Sequence, residues 1–411
     1  MVNIRSFPVW RPAPENVARI HAVPYDVVNR AEAAALAAGN PLSFLHVSRA
    51  EIDLPEHVDA YSQEVYQKAR ANLLDLRQNG PYLYDDEPAL YVYAQEIDGH
   101  KQFGVVAAVS VDDYDSGKIK RHENTRIDKE NDRTNHALAL GAHTGLVFLI
   151  HRDQQEIDDI VSATCSQAPV YDVIDEEGVR HQVWKCSGAH STRLEQIFAE
   201  TDNLYIADGH HRAKSASRVR ETLKERGQLT PEHPANRFPA VIFPASQLRI
   251  LSYNRAVRDL NGLSREEFLH RVAESFDITS DVGACPEAPE HIHLYMAGRW
   301  YGLKLKHPPS TERVSETLDV AILQQYLLDP ILGIENPRTD ERITFIGGSR
   351  GTGELVKMVD SGAWQIAFSM YPTTVEQLLA VSDQNDLMPP KSTWFYPKLR
   401  DGFFIYQFLD D

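Results

Sequence analysis

The stretch "LYIADGHHRAKSASRVRETL", residues 204–223, decides how this chain is read. A short apolar run of strand character breaks at Asp208-Gly209, and a long, polar, basic helix follows. Five consecutive positions at the break, Asp208, Gly209, His210, His211 and Arg212, carry donors and titratable groups. The first N–H groups of a helix have no internal partner, and with the helix dipole they form an anion site. Gly209 permits a tight turn and close backbone approach. Arg212 offers a planar, permanently charged fork suited to phosphate oxygens. His210 and His211 are donors that titrate near neutral pH. Asp208 is placed to orient a histidine or to help hold a metal. A phosphate group satisfies all of these features; a plain strand–helix turn with Asp208 as N-cap and solvated histidines is the other reading.

The rest of the chain sets the frame. Its 411 residues allow two or three modules with sizeable cores. Hydrophobic content of 42% and charged content of 25% are ordinary for a soluble globular protein. The net charge of -17, from 42 basic and 59 acidic residues, repels polyanions. Nucleic acid is therefore not an expected partner, although a local basic pocket still suits a small anion. The first twenty residues hold no apolar core of signal-peptide length, and "GVVAAVSV" and "GLVFLI" are too short to span a bilayer. A cytoplasmic protein without membrane contact is expected. Cys165, Cys186 and Cys285 are far apart and outside zinc spacing, so they are read as buried or incidental thiols.

Strands and helices alternate, and hairpins make a purely parallel sheet unexpected, so the class is α/β (α+β) with mixed sheets. Residues 1–80 read as largely helical, with Tyr61, Val65, Ala69 and Leu73 on one face of a helix that stops at Gly80-Pro81. "ALYVYAQEI" and "KQFGVVAAVSV" form a hairpin at Asp98-Gly99, and a second hairpin turns near Glu177-Gly178. Ser264 with Glu267 is a capping box, and "LDVAILQQYLLDPILGI" reads as an amphipathic helix. The pattern changes near residue 250, which divides an N-terminal module, 1–250, from a C-terminal α+β module, 251–411, with an ordered aromatic tail.

Two further clusters carry chemistry. "KIKRHENTRIDKENDR", 118–133, sets His122 and Glu123 beside Arg121, Thr125 and Arg126 in a loop entering a helix. A carboxylate so near cations stays ionised, as a general base or metal ligand must, although a solvated charged loop has the same composition. "MPPKSTWFYPKL" offers Lys391, Ser392, Thr393 and Lys398 between aromatics, either as substrate contacts or as a packed tail. "PYDVVN" places Tyr25 and Asp26 in a turn or a pocket wall. The glycine-rich "IGGSRGTGEL" lacks the Lys-Ser/Thr of a Walker loop and is read as a flexible turn.

The stretches "PYDVVN", "NPLSFLHV", "KRHENTR", "YIADGHHRAKSA", "LDVAILQQYLL" and "MPPKSTWFYPKL" span nearly the whole chain. Through them it resembles a bacterial and archaeal family catalogued as domain of unknown function 1015. More distantly, "HE" followed by strand–"DGHHR"–helix looks like the nucleotide-binding core shared by ParB and the free-serine kinase SerK, over about residues 81–250. The chain lacks ParB's Glu-Arg-Arg signature and a basic DNA-binding module.

That second resemblance implies a ParB/SerK-like core in which Asp208 to Arg212 cradle nucleotide phosphates and Glu123, beside His122, is the catalytic base. It further implies Mg²⁺, with Glu123 or Asp208 as ligand, and a nucleoside di- or triphosphate: ATP, ADP or CTP. The expected activity is a kinase acting on a small hydroxyl metabolite, with free serine the first candidate and Arg121, Thr125, Arg126, Tyr25, Asp26, Lys391, Ser392 and Thr393 near substrate or developing charge. A non-catalytic nucleotide sensor of the ParB type and a phosphatase or hydrolase of a phospho-metabolite are the alternatives. A homo-oligomer is compatible with either.

Overall fold

The computed structural model describes residues 1–410. The chain forms two compact units. Met1–Arg121, Thr125–Leu248 and the tail from Pro397 onward make the first; His122–Asn124 and Arg249–Tyr396 make the second. Both mix strands and helices, and no helix among the described residues is long and apolar enough to cross a membrane.

Ten strands, counted among the described residues, form the sheet of the first unit. Its main path runs Ile119–Lys120, Leu204–Asp208, Val147–His151, Arg237–Pro244, His100–Ser110, Tyr82–Ile97, Arg180–Cys186, Tyr171–Ile174. Leu204–Asp208 is parallel to Ile119–Lys120, and Arg237–Pro244 is parallel to Val147–His151. The hairpins are antiparallel, and Asp98 and Gly99 both take positive φ, 51° and 74°, as a two-residue turn in a twisted ribbon requires. Ile4–Arg5 and Phe7–Pro12 also join this sheet. They correct the expectation of a largely helical start: Phe7 and Val9 are buried in alternation, a period of two that is too short to stand out beside the alanine-rich helix Arg30–Ala37.

Period-two burial explains how both faces of this sheet are covered. Leu90, Val92, Val105, Ala107, Leu149, Ile206 and Ile242 share a core with Ile157, Leu194, Phe198 and Ala213 from three helices. Neighbouring positions point to the opposite face. There Tyr91 meets Phe404 at 5.2 Å between ring centroids and Tyr93 meets Phe403 at 5.4 Å. The tail thus closes the second face. Tyr406–Gln407 pairs antiparallel with Ala142–His143, Ile405 bridges Trp10, and Arg400 donates to Asp175, which also holds His181 Nε2 at 2.9 Å.

The second unit has a six-stranded antiparallel sheet ordered Phe276–Ser280, Arg299–Leu305, His291–Met296, Ile366–Met370, Tyr253–Val257, Ile343–Gly347. The helix Gly351–Asp360 buries Leu355 and Val359 against Ala256, Ile346 and Ala367. The capping box forms: Glu267 N–H donates to Ser264 Oγ at 3.2 Å and Ser264 N–H to Glu267 Oε2 at 2.8 Å. The expected long helix from Leu318 is shorter. Asp319–Leu323 widens into a single π turn, Gln324–Leu328, just before Pro330, a residue whose ring crowds the carbonyl four positions back.

A chain ending at Tyr396 should lose cooperative folding of the first unit. Phe403, Phe404, Ile405 and Phe408 are at most 3% exposed, and burying them contributes about 8 kcal/mol at about 2 kcal/mol each. That is comparable to the roughly 5–15 kcal/mol net stability of a domain. Urea unfolding monitored by circular dichroism is the check; a midpoint equal to that of the full chain would contradict this role of the tail.

Candidate functional site

The strand Leu204–Asp208 ends in a register shift against Val147–His151, between Ile206 and Asp208. A bulge of this kind ends pairing and redirects the side chain at the strand end. Gly209, at φ 88°, then enters the helix His210–Glu225 as its N-cap. A left-handed φ favours glycine here, and glycine brings no side-chain oxygen to the first-turn N–H groups. The other reading of this turn, with Asp208 as N-cap, is therefore not what forms. Asp208 Oδ1 accepts the N–H of Gly209 at 2.8 Å, and Oδ2 accepts from Lys398 Nζ at 2.7 Å. Burial pushes the Asp208 carboxyl up, but the Lys398 ammonium and the Gly209 N–H outweigh it and hold the group well below the usual carboxylate range.

His211 Nε2 accepts the backbone N–H of Arg126 at 3.0 Å, so its neutral form carries the proton on Nδ1. His210 is buried. Arg212, expected to face a ligand, is instead committed inside the unit. Nη1 and Nη2 grip Asp401 Oδ1 and Oδ2 at 2.8 and 3.0 Å, and Nη1 also reaches Leu146 O at 3.2 Å. Burial pushes the Asp401 carboxyl up and Arg212 opposes it; the two-pronged geometry is that of an ionised pair. Gly145 makes room for it, since a Cβ there would fall 2.0 Å from Arg212 Nη1 and 2.8 Å from Asp401 Oδ1.

Beside this pair lies a pocket of about 40 Å³ whose lining includes Tyr25, Ser48, Arg133, His136, His143, Arg212 and Asp401. Tyr25 is buried, with the guanidinium carbons of Arg133 and Arg212 at 4.1 and 5.6 Å from its ring centroid. Asp26 next to it is exposed. Burial lowers the pKa of His136 to about 4 and of His143 to about 3, so both are neutral at physiological pH. Sequence reasoning reached Tyr25 but did not single out Arg133 and His136 on the helix Ile127–Leu140, His143 in the short strand Ala142–His143, or Asp401 in the tail.

The remaining predicted residues divide between the units. In the first, Arg121 lies 5.8 Å from the Tyr114 ring, Thr125 Oγ1 donates to Glu130, and exposed Arg126 pairs with Asp128. In the second, the carbonyl of buried His122 accepts the N–H of Met388 at 2.8 Å, and its Nε2 lies 3.4 Å from Thr393 Oγ1. Two clusters far apart in sequence therefore meet there. Ser392 Oγ donates to Pro389 O at 2.6 Å, and Lys391, with φ 59°, sets its Nζ 5.5 Å from the Tyr253 ring centroid. Glu123 is half-buried. Sequence reasoning also passed over Arg255, a buried cation that donates to the carbonyls of Tyr253 and Lys391 and whose pKa burial lowers to about 10.

As a holder of Mg²⁺, Asp208 fits poorly: both oxygens already accept donors, and the ammonium 2.7 Å away repels a divalent cation. Glu123 keeps the oxygen chemistry such an ion needs.

A family model described as "Protein of unknown function (DUF1015)" matches residues 4–321 of the 411. Among solved structures, the chain is similar to a conserved hypothetical protein from Pyrococcus furiosus, with 15% identity and a TM-score of 0.35, covering 73% of this chain and 94% of that one. It is also similar to a free serine kinase variant in complex with AMP, with 15% identity and a TM-score of 0.35, over 71% and 87% of the two chains. A third is SbnI with a C-terminal truncation from Staphylococcus aureus, with 13% identity and a TM-score of 0.39, over 72% and 84%. No curated protein sequence matches.

The neutral histidines set a pH dependence. Their folded pKa values, about 4 for His136 and about 3 for His143, lie below the unfolded value near 6.5. The unfolded chain therefore takes up protons first as pH falls, and stability drops from about pH 6.5 towards pH 4. Between pH 7.5 and 5 the two groups cost on the order of 4 kcal/mol together. Urea midpoints at the two pH values, compared between the wild type and a His136→Gln/His143→Gln variant, read this out. The variant should lose markedly less; an identical loss would contradict it.

Proposed function

The chain belongs to the DUF1015 family, and from the residues of its glycine-capped turn we propose that it is a nucleotide-dependent phosphotransferase acting on a small hydroxyl metabolite, free serine being the first candidate. The observation that carries this reading is the turn itself: Gly209 opens the helix without a capping side chain, and Asp208 holds the Lys398 ammonium beside it. Helix-start N–H groups and an adjacent ammonium are the donor set that a phosphoryl group needs.

In the proposed reaction the acceptor hydroxyl oxygen attacks the terminal phosphorus of ATP, ADP or CTP. The bond from that phosphorus to the bridging oxygen breaks, the shortened nucleotide leaves, and Glu123 takes the hydroxyl proton. The first turn of the helix and Lys398 hold the transferring group, while Arg126 or Lys391 offsets developing charge. Arg212 is given a bracing role, because Asp401 already compensates its charge. Mg²⁺, when bound through Glu123, would neutralise phosphate oxygens. Phosphoryl transfer asks mainly for positioning and charge stabilisation, and these side chains supply both. The Arg212–Asp401 pair also favours a second reading, a nucleotide sensor without catalysis, since it withdraws Arg212 from any role in stabilising a transition state.

Incubation with each nucleotide plus serine, followed by phosphoserine detection, separates the two readings. Glu123→Gln should lose at least 100-fold in turnover while keeping nucleotide binding within about threefold by calorimetry. Wild-type turnover in that variant would remove Glu123 as the base, and nucleotide binding without product in the wild type would favour the sensor.

A further inference from the structure

We propose that the pocket beside Tyr25 receives the carboxylate of a small organic acid, and that this acid is the phosphoryl acceptor; the second half rests on the phosphotransferase reading. The first half rests on which hydrogen-bonding groups line the pocket and which partners they lack.

Asp401 spends both oxygens on Arg212. Asp132 accepts Arg133 Nε at 2.8 Å and Nη2 at 2.7 Å through Oδ2, and the Tyr66 hydroxyl at 3.1 Å through Oδ1. Arg133 Nη1 takes part in neither of these contacts and remains for a further acceptor. Ser48 Oγ and His143 Nε2 have no hydrogen-bond partner either, although the two residues are only 3% and 8% exposed. The pocket that these three residues line therefore offers a guanidinium nitrogen, which can only donate, and two groups able to donate beside it. An ionised carboxylate is an acceptor-only group with about four lone-pair sites, and a guanidinium edge with two neighbouring donors is the partner set it prefers.

Size selects among oxyanions. A water-sized group needs about 10–15 Å³ of such volume, so about 40 Å³ holds roughly three heavy atoms. A carboxylate has three and a phosphate group has five. The Tyr25 ring, flanked by both guanidinium groups, fixes one wall. His143, kept neutral by burial, can donate from Nε2 without adding charge.

The test is calorimetric titration of the full chain, without nucleotide, with glycolate and with its uncharged counterpart glycolamide. Glycolate should bind saturably, and glycolamide at least tenfold more weakly. Ser48→Ala, which removes one donor from a helix that tolerates alanine, should weaken glycolate about fivefold. Crystals soaked in glycolate should show the carboxylate within hydrogen-bond distance of Arg133 Nη1 and Ser48 Oγ. Equal affinity for both compounds, an unaffected Ser48→Ala variant, or ordered water alone in the soaked pocket would overturn the assignment. Because no nucleotide is present, failure of the phosphotransferase reading leaves this result intact. Conversely, efficient phosphorylation of an alcohol without a carboxylate would separate the pocket from the acceptor while leaving the kinase standing.

Discussion

The bidentate pair between Arg212 and Asp401 is the interaction on which the arrangement of the first unit depends. Both side chains are largely withdrawn from water, at 15% and 4% exposed. Removing one partner of such a pair leaves a buried charge, at a cost of about 3–5 kcal/mol. Its neighbours repeat the logic. Along four residues of tail, Lys398 reaches Asp208, Arg400 reaches Asp175, and Asp401 reaches Arg212. The tail thereby fixes the end of one strand, a hairpin and the first turn of a helix by charge, while Phe403 and Phe404 fix it by burial. Gly145 belongs to the same device, because any larger residue would occupy the space of the guanidinium.

This device ties the turn to the pocket. Arg212 lies in the first turn of the helix that Gly209 opens and also lines the pocket beside Tyr25. A ligand group entering the pocket and a phosphoryl group at the helix start would bear on the same guanidinium from two sides. Tyr25 and Arg133 share that constraint, stacked with Arg212 around one ring. The electrostatics are balanced: two ion pairs cancel and two histidines stay neutral.

Much of the fold was legible because its signals are local. Asp98-Gly99 demanded a two-residue turn, Ser264 and Glu267 formed the capping box their spacing implies, and Leu204 to Gly209 read as a strand breaking into a helix. The strands at the chain start were missed because two to six residues give period-two burial too little length. The long helix from Leu318 was overextended because apolar spacing spoke louder than Pro330. The site was legible in its residue types but not in its pairings. No local pattern says that Asp401 will consume Arg212 across 189 positions, or that Lys398 will settle on Asp208 across 190. Such partners are chosen by burial, which a sequence does not display.

The direct test of the tail's hold on the turn is backbone amide exchange in the wild type and in Asp401→Asn, which removes the charge and leaves the shape. If the pair fixes the helix start, the amides of Ala213 to Ala216 should exchange at least tenfold faster in the variant, while those of Val219 to Leu223, packed against Ala235 and Phe408, keep their protection. Equal protection of Ala213 to Ala216 in both proteins would contradict it.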